Sequence, residues 1–391
     1  LLDPAGDEAS IERLTATIDP GDSVEGVARL LAPRPRLWSP DSPALCTLLT
    51  RLKRGDRVLD ELRTPIGIRT VRVSPERGLE LNGQPLRMIG ACIHHDNGPL
   101  GAAAFAAADV RRVALLKAAG FNAIRTAHNP PSTAFLAACD RLGMLVIDEA
   151  FDGWVKKKTD YDYHLDFADN WRDDLEAMVR RDRNHPSVVL WSIGNEMYER
   201  AEEPGAELSA QMCKAVRALD ATRPITAACN RVDSEEAWRR VDRTFAPLDV
   251  AGYNYQLAVV EDDHQRVPDR IIVFSESFPK DAFECWDKFG GRPYVIGDFV
   301  WTGWDYVGEA GLGRVFAPGE RARDPWVGEP QFPWHGAACG DIDLIGRRKP
   351  ISHYRNILWD RGEKLYAAVV APAPGGGHWQ LPRWSLPPTI A

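Results

Sequence analysis

The sequence lacks the cysteine spacing of disulfide-stabilised and zinc-binding proteins. Its seven cysteines are scattered, and no two of them are spaced as CxxC. This spacing argues against a zinc site or a disulfide framework, so the cysteines are interpreted as small buried hydrophobic residues. The sequence also lacks an apolar run of about 18 residues, which a membrane-spanning helix would need. We therefore expect no membrane partner.

Long basic runs are missing as well. The formal net charge is -8, and no basic run is longer than three residues, as in Lys156-Lys157-Lys158. Such a run is too short to follow a phosphate backbone and is interpreted as a solvated loop. The charge pattern thus argues against a nucleic-acid partner and favours a small or uncharged one.

What remains is the composition of a folded, water-exposed protein, with 44% hydrophobic and 27% charged residues in a chain of 391. That length suits two units, one of which could be a barrel of about 250 residues; a single large domain is the alternative.

Residues 10 to 83 contain alternating stretches, such as 27–31 and 57–59, which predict a small β-sandwich. We therefore predict an immunoglobulin-like β-sandwich over 1–82 and a catalytic barrel over 83–368. Residues 369–391, which include three consecutive glycines, are predicted to be a linker and the start of a truncated C-terminal β-domain.

From Pro85 onward, short apolar runs alternate with helical periodicity. Such alternation indicates repeated βα units, and eight strands is the number of a (β/α)₈ TIM barrel. An open doubly wound sheet is the alternative, but it would need a Gly-rich phosphate turn that the sequence does not contain. The predicted strands are 85–92, 121–127, 144–150, 188–194, 224–229, 249–255, 271–276 and 294–301. The clearest helices are 108–119, 132–142, 170–183, 205–219 and 350–359.

Active sites of such barrels lie at the carboxyl ends of the strands. Glu196 follows the fourth predicted strand and Glu276 ends the seventh, so the two carboxylates should face each other across the barrel mouth. A retaining glycosidase needs two carboxyl groups about 5 to 5.5 Å apart, one as nucleophile and one as acid/base. A carboxylate near a strand end is more often a salt-bridge partner, and it is the pair that favours this chemistry.

Other polar and aromatic residues at the strand ends leave two questions open. His94, His95 and His128 could be metal ligands, but they lack a HExxH-like spacing, and adjacent residues of a strand point to opposite faces. A metal hydrolase is thus the second mechanistic class, and we expect no metal and no cofactor.

Trp301 is either core filling or a flat platform under the apolar face of a sugar, and the same question arises for Trp304, Tyr253 and Tyr255.

Several motifs together resemble glycoside hydrolase family 2, which includes β-galactosidases, β-glucuronidases and β-mannosidases. They are Leu81-Asn82-Gly83-Gln84-Pro85-Leu86, Arg125-Thr126-Ala127-His128-Asn129-Pro130-Pro131, Val146–Trp154, Asn184–Val188, Gly194-Asn195-Glu196 and Ile272–Ser277. They occur in the family's order, and the resemblance covers roughly residues 25 to 360.

The resemblance implies a role for each matching residue. Glu196 would be the acid/base and Glu276 the nucleophile, while Asn195 would donate to the sugar 2-hydroxyl and Tyr255 to the nucleophile. The remaining pocket positions are matched by His94, Arg125, His128 and Trp301. A cationic Arg125 beside Glu276 should keep that carboxylate ionised, while Glu196 needs an apolar or anionic surrounding to stay protonated.

The sequence also departs from the family's pattern. The usual N-terminal sugar-binding domain is absent, and since Leu1 is not an initiator residue we expect an upstream segment to be missing. The family's magnesium-binding stretch is replaced by Phe151-Asp152-Gly153-Trp154-Val155. The Asn-x-Lys motif, with which β-glucuronidases hold a carboxylate, is missing at 346–350. The resemblance to bacterial members therefore implies a retaining β-glycosidase for neutral sugars, foremost β-galactosides.

Three alternatives remain: a β-glucuronidase, a β-mannosidase, or a carbohydrate-binding fragment without full catalysis. The expected partner is an oligosaccharide or glycoside substrate. The sequence leaves open a homo-oligomer and a location in the cytoplasm or periplasm of a bacterium.

Overall fold

The computed structural model describes residues 1–230, 234–313, 336–362 and 365–367. Small antiparallel sheets precede the main domain. Strands β1 and β2 form a hairpin that turns at Gly55, and β3, β4 and β5 form a three-stranded sheet. Their bounds are β1 (Cys46–Arg54), β2 (Arg57–Ile66), β3 (Val71–Ser74), β4 (Gly78–Leu81) and β5 (Gln84–Leu86).

A closed barrel of eight parallel strands forms the centre of the molecule. Its strands are β6 (Met88–Ile93), β7 (Ala123–Thr126), β8 (Leu145–Glu149), β9 (Val188–Asn195), β10 (Ile225–Cys229), β11 (Val250–Asn254), β12 (Ile272–Ser277) and β13 (Val295–Val300). Almost every residue of these strands is buried, which explains why they are continuous apolar runs in the sequence. The eight predicted strands and the TIM-barrel fold class are confirmed, and the open doubly wound sheet is excluded.

Helices surround the barrel. Their bounds are α1 (Ala106–Ala118), α2 (Thr133–Leu142), α3 (His164–Asp182), α4 (Glu203–Leu219), α5 (Glu235–Arg240), α6 (Asp242–Phe245), α7 (Val260–Arg266), α8 (Ala282–Gly290) and α9 (Pro350–Leu358). The five predicted helices correspond to α1–α4 and α9. Helices α5–α8 lie between later strands of the barrel and were not among the clearest helical stretches of the sequence. In the part of the chain that is described, no helix combines the length and apolar character needed to cross a membrane.

The N-terminal segment packs against the amino ends of the barrel strands. Arg69 donates from Nε to the carbonyl of Pro186 (3.0 Å) and from Nη2 to that of Val188 (2.6 Å). The fully buried indole of Trp38 donates to the carbonyl of Asp140 (2.8 Å). Gly143, which ends α2 with φ +70°, approaches this segment so closely that a Cβ would lie 2.3 Å from the carbonyl oxygen of Pro40. These contacts leave the carboxyl ends of the strands open.

The N-terminal prediction was right in part. Antiparallel sheets do precede the barrel, and 57–59 lies within β2, but 27–31 forms no strand. Val27 is 85% exposed and Leu31 79% exposed, and an alternating stretch cannot form a strand without a partner for its backbone hydrogen bonds. The predicted boundary near residue 82 falls in the turn between β4 and β5, and the predicted tail at 369–391 lies outside the described residues.

After the barrel, two short strands cross the carboxyl-terminal end. β14 (Tyr306–Val307) pairs with β15 (Gly336–Ala337). This pairing holds Tyr306 beside the ends of β6 and β13, where the candidate site lies.

Candidate active site

Arg125, at the end of β7, is the centre of the polar network. Its side chain is 1% exposed, and Nε and Nη2 donate to the two carboxylate oxygens of Glu149 (2.9 and 2.8 Å). Nη1 donates to Oε1 of Glu276 and Nη2 to Oδ1 of Asn195, both at 2.8 Å. The remaining Nη1 hydrogen is directed at the carbonyl of Ser275 (3.0 Å). One guanidinium thereby fixes groups from three other barrel strands, β8, β9 and β12, in a single arrangement.

Glu276 lies near the end of β12 with its side chain 5% exposed. Burial raises the pKa of its carboxyl group to about 8, although Arg125 opposes this shift. The contact with Arg125 is as expected, but the raised pKa contradicts the expectation that Arg125 would hold the group ionised. The positive charge of Arg125 is shared with Glu149, so it offsets only part of the cost of burying a second carboxylate.

Glu196 leaves the end of β9 in an uncommon backbone conformation. Its φ is +47°, a region that residues other than glycine rarely adopt. Its backbone N–H donates to the carbonyl of Ala228 (2.8 Å), at the end of β10. The side chain is half-buried and faces the pocket, where Oε1 accepts a hydrogen bond from Nδ2 of Asn254 (3.0 Å). The carboxyl group is thus positioned and remains accessible to a ligand.

Asn254, which ends β11, connects the residues around both glutamates. Besides its bond to Glu196, its Nδ2 donates to Oδ1 of Asn195 (3.0 Å). Its Oδ1 accepts from the hydroxyl of Ser275 (2.7 Å), the residue before Glu276. Asn254 was not among the predicted site residues, nor was Glu149. The available signal was the position of each at the carboxyl end of a buried apolar run.

Tyr255 follows Asn254 with φ +60°. Its backbone N–H donates to the carbonyl of Glu276 (2.9 Å), and its ring stacks on that of Phe278 with centroids 4.2 Å apart. Burial and the adjacent Glu276 carboxylate raise the pKa of the phenol well above its ordinary value. Tyr255 therefore stays protonated and can donate a hydrogen bond towards the nucleophile position.

Two histidines and two aromatic residues form one wall of the pocket. His128 stacks on Trp301 (centroids 5.1 Å, interplanar angle 5°), and His94 stacks on Tyr306 (4.3 Å). The indole N–H of Trp301 donates to the hydroxyl of Tyr306 (3.2 Å). Burial lowers the pKa of His94 to about 4, so its ring is neutral. Trp304 belongs to the hydrophobic core, and its backbone forms an isolated parallel β-bridge with Ile342.

The histidines do not form a metal centre in this arrangement. His128 contacts Glu149 through Nδ1 (2.7 Å), whereas the exposed His95 lines a cavity of about 320 Å³ on the other side of His94, together with Phe135 and Arg112. Neither Glu196 nor Glu276 lines that cavity. Within 1–230, 234–313, 336–362 and 365–367, no group of His, Cys, Asp and Glu is arranged to hold a metal ion.

Comparison with known proteins gives two matching family models. The model described as "Glycosyl hydrolases family 2, TIM barrel domain" matches residues 71–266, and "Glycosyl hydrolases family 2" matches residues 3–69. A β-galactosidase of Bacteroides ovatus is 33% identical over 94% of this chain and 49% of its own length. A putative β-glucuronidase of Formosa agariphila is 30% identical over 89% of this chain and 36% of its own length.

A solved structure is similar over almost the whole chain. It is that of a glycosyl hydrolase family 2 member from Bacteroides cellulosilyticus, which is 42% identical with a TM-score of 0.84, over 99% of this chain and 49% of that one. The chain thus spans about half the length of such relatives, or less.

Proposed function

Since the chain belongs to glycoside hydrolase family 2, we propose that it carries the catalytic barrel of a retaining β-glycosidase for terminal β-linked neutral sugars, foremost β-galactosides. One observation carries the proposal: Arg125 joins Glu276 on the seventh barrel strand to Asn195, the neighbour of Glu196, on the fourth. Two carboxyl groups on opposite strands of a barrel mouth can flank a glycosidic bond.

In the first step, the carboxylate of Glu276 attacks the anomeric carbon while the bond to the leaving oxygen breaks. Glu196 gives its proton to that oxygen, and a covalent glycosyl ester forms on Glu276. Because burial raises the pKa of Glu276 to about 8, the reactive anion costs free energy in the empty pocket. Arg125 and the phenol of Tyr255 are placed to stabilise this anion.

In the second step, Glu196 is a carboxylate and takes a proton from water. The water oxygen attacks the anomeric carbon and the ester bond to Glu276 breaks, which returns both residues to their starting states. Asn254 holds Oε1 of Glu196 at 3.0 Å. This hydrogen bond limits the rotation of the carboxyl group between the two steps.

The pocket wall supplies contacts for the sugar. The Nε2 atom of His94 is buried without a hydrogen-bond partner among the described residues, and an unpaired buried polar atom is costly. A sugar hydroxyl would satisfy it. Trp301 offers the flat surface on which the apolar face of a pyranose packs.

The choice of sugar rests on two supports. One is the β-galactosidase of Bacteroides ovatus among the relatives; the other is the missing Asn-x-Lys motif. A β-glucuronidase is the second candidate, since several relatives carry that name, including the enzyme of Bacteroides fragilis at 27% identity.

A panel of 4-nitrophenyl β-galactoside, β-glucoside, β-mannoside and β-glucuronide tests the proposal on the purified chain. We expect the highest kcat/KM for the galactoside. The Glu276→Gln variant is the control for contaminating hydrolases, because it should be inactive on every substrate. A preference for the glucuronide would refute the neutral-sugar assignment. Hydrolysis of none of the four, by a chain shown to be folded by circular dichroism, would refute the glycosidase assignment for this chain.

A further inference from the structure

Glu309 lies outside the residues that the proposed chemistry uses, but it is tied to the wall of the pocket. It follows β14 with φ +41°, and its carboxylate accepts a hydrogen bond from the hydroxyl of Tyr306. The same hydroxyl accepts from the indole of Trp301 (3.2 Å), and the ring of Tyr306 stacks on His94. Glu309 therefore lies next to Tyr306 at the outer edge of the aromatic wall, on the rim of the pocket.

The charges around Glu309 are mostly negative. Desolvation raises the pKa of its carboxyl group to about 7, and the negative charges of Asp152 and Glu196 act in the same direction; Lys158 acts in the opposite direction. The ammonium of Lys158 lies 2.6 Å from Oδ1 of Asp152, so the carboxylate of Asp152 largely neutralises its charge. The phenol that contacts Glu309 is neutral. When ionised, Glu309 thus adds a poorly compensated negative charge to the rim.

The base of the pocket offers no free cation in the described part of the chain. All five N–H groups of Arg125 are directed at Glu149, Glu276, Asn195 and the carbonyl of Ser275. A sugar with a carboxylate at C6 would add a further negative charge to those of Glu149 and Glu276. Like charges repel in such a site, and the repulsion weakens where water and salt screen them.

We propose that Glu309 is a specificity-determining residue that selects against glycosides with a C6 carboxylate, by charge repulsion at the rim. This inference rests on the proposed function, because it concerns the sugar bound beside Glu276. Asp152 is the weaker candidate for this role, since its carboxylate is already paired with Lys158 and accepts from Nδ2 of Asn195 (2.9 Å).

The test compares sugars that differ only at C6. Galactose and galacturonate are titrated into the wild type and into Glu309→Gln by calorimetry at pH 8, and kcat/KM is measured for the two corresponding 4-nitrophenyl glycosides. In the wild type the neutral sugar should be preferred in both measurements. Glu309→Gln should reduce that preference about three- to tenfold, chiefly through tighter binding of galacturonate. The amide keeps an acceptor for Tyr306, so the neutral substrate should lose less than about threefold in kcat/KM.

Two readouts separate electrostatic selection from a structural effect. The wild-type preference should increase from pH 6 to pH 8 by a larger factor than that of Glu309→Gln, because only the wild type gains this charge. It should also weaken in 0.5 M NaCl. Glu235→Gln is the matched control: Glu235 is an exposed glutamate of α5 that pairs with Arg239, and its loss should leave the preference unchanged.

An unchanged ratio in Glu309→Gln would overturn the role of Glu309, even if the wild type prefers galactose. Equal losses on both sugars would mean that Glu309 only supports Tyr306, and would overturn it too. A wild type that binds galacturonate more tightly than galactose would instead refute the neutral-sugar part of the proposed function. Calorimetry does not require turnover, so the two failures are distinguishable.

Discussion

Buried polar groups have different kinds of partner at the two ends of the barrel. At the amino end, Trp38 and Arg69 donate to backbone carbonyls, so both of these donors meet neutral acceptors. At the carboxyl end, Arg125 is surrounded by Glu149 and Glu276, and Nε2 of His94 has no hydrogen-bond partner among the described residues. The comparison indicates that the amino end is built for stability, whereas the carboxyl end retains costly charges and an unsatisfied group that a substrate can use.

The largest effect that would test this contrast is expected from Glu276→Gln. A neutral amide cannot form the glycosyl ester, so kcat for a nitrophenyl glycoside should fall by at least about 10⁴-fold. The melting temperature should not fall, since a costly buried carboxylate is removed. Glu202→Gln, at an exposed glutamate paired with Lys156, is the control and should keep wild-type rates. Wild-type turnover in Glu276→Gln would show that the nucleophile is another residue.

A second mutation at the same end separates the roles of the two glutamates. Glu196→Ala should lower kcat/KM for a disaccharide by about 10² to 10⁴-fold, because its leaving oxygen needs a proton. A 2,4-dinitrophenyl glycoside should be affected far less in this first step, and a burst of the phenol should precede slow hydrolysis of the ester. Equal losses on both substrates without a burst would assign the acid elsewhere, with Glu149 as the next candidate.

At the opposite end the expected effect is on stability alone. Trp38→Ala should lower the free energy of unfolding by about 3–5 kcal/mol, because it removes a fully buried indole and its hydrogen bond. Below the melting transition, kcat/KM should stay within about twofold of the wild type. Leu37→Ala, at a neighbouring exposed residue, should change stability by less than about 0.5 kcal/mol. A large loss of kcat/KM in folded Trp38→Ala would show that the two ends are coupled.

A further effect concerns pH. Because the pKa of Glu276 in the folded chain, about 8, lies above its ordinary value, the folded state retains a proton that the unfolded chain has lost. Stability from this group is complete at acidic pH and is lost as the pH rises towards 8. The melting temperature of the wild type should therefore decrease more between pH 5 and pH 8.5 than that of Glu276→Gln. Parallel curves for the two proteins would contradict the raised pKa.

The same contrast explains what could be predicted from the sequence. Barrel strands are buried on both faces and are therefore visible as apolar runs, and the polar residue after each run is a site candidate; Glu196 and Glu276 were found in this way. The pKa direction of Glu276 was not predictable, because it depends on how Arg125 divides its charge between two carboxylates. The extended segment around Val27 was misread because alternation does not reveal whether a partner strand exists.

The hydrogen bonding of Arg125 has a consequence for how such a barrel can diversify. Its five N–H groups are directed at residues within or at the very ends of the barrel strands. The spacing of Glu276 and Asn195 is thus set by the sheet and does not depend on the loop that carries Glu309. For the proposed function this means that substitutions in the mouth loops should change which sugar binds and leave the positions of the two glutamates unchanged.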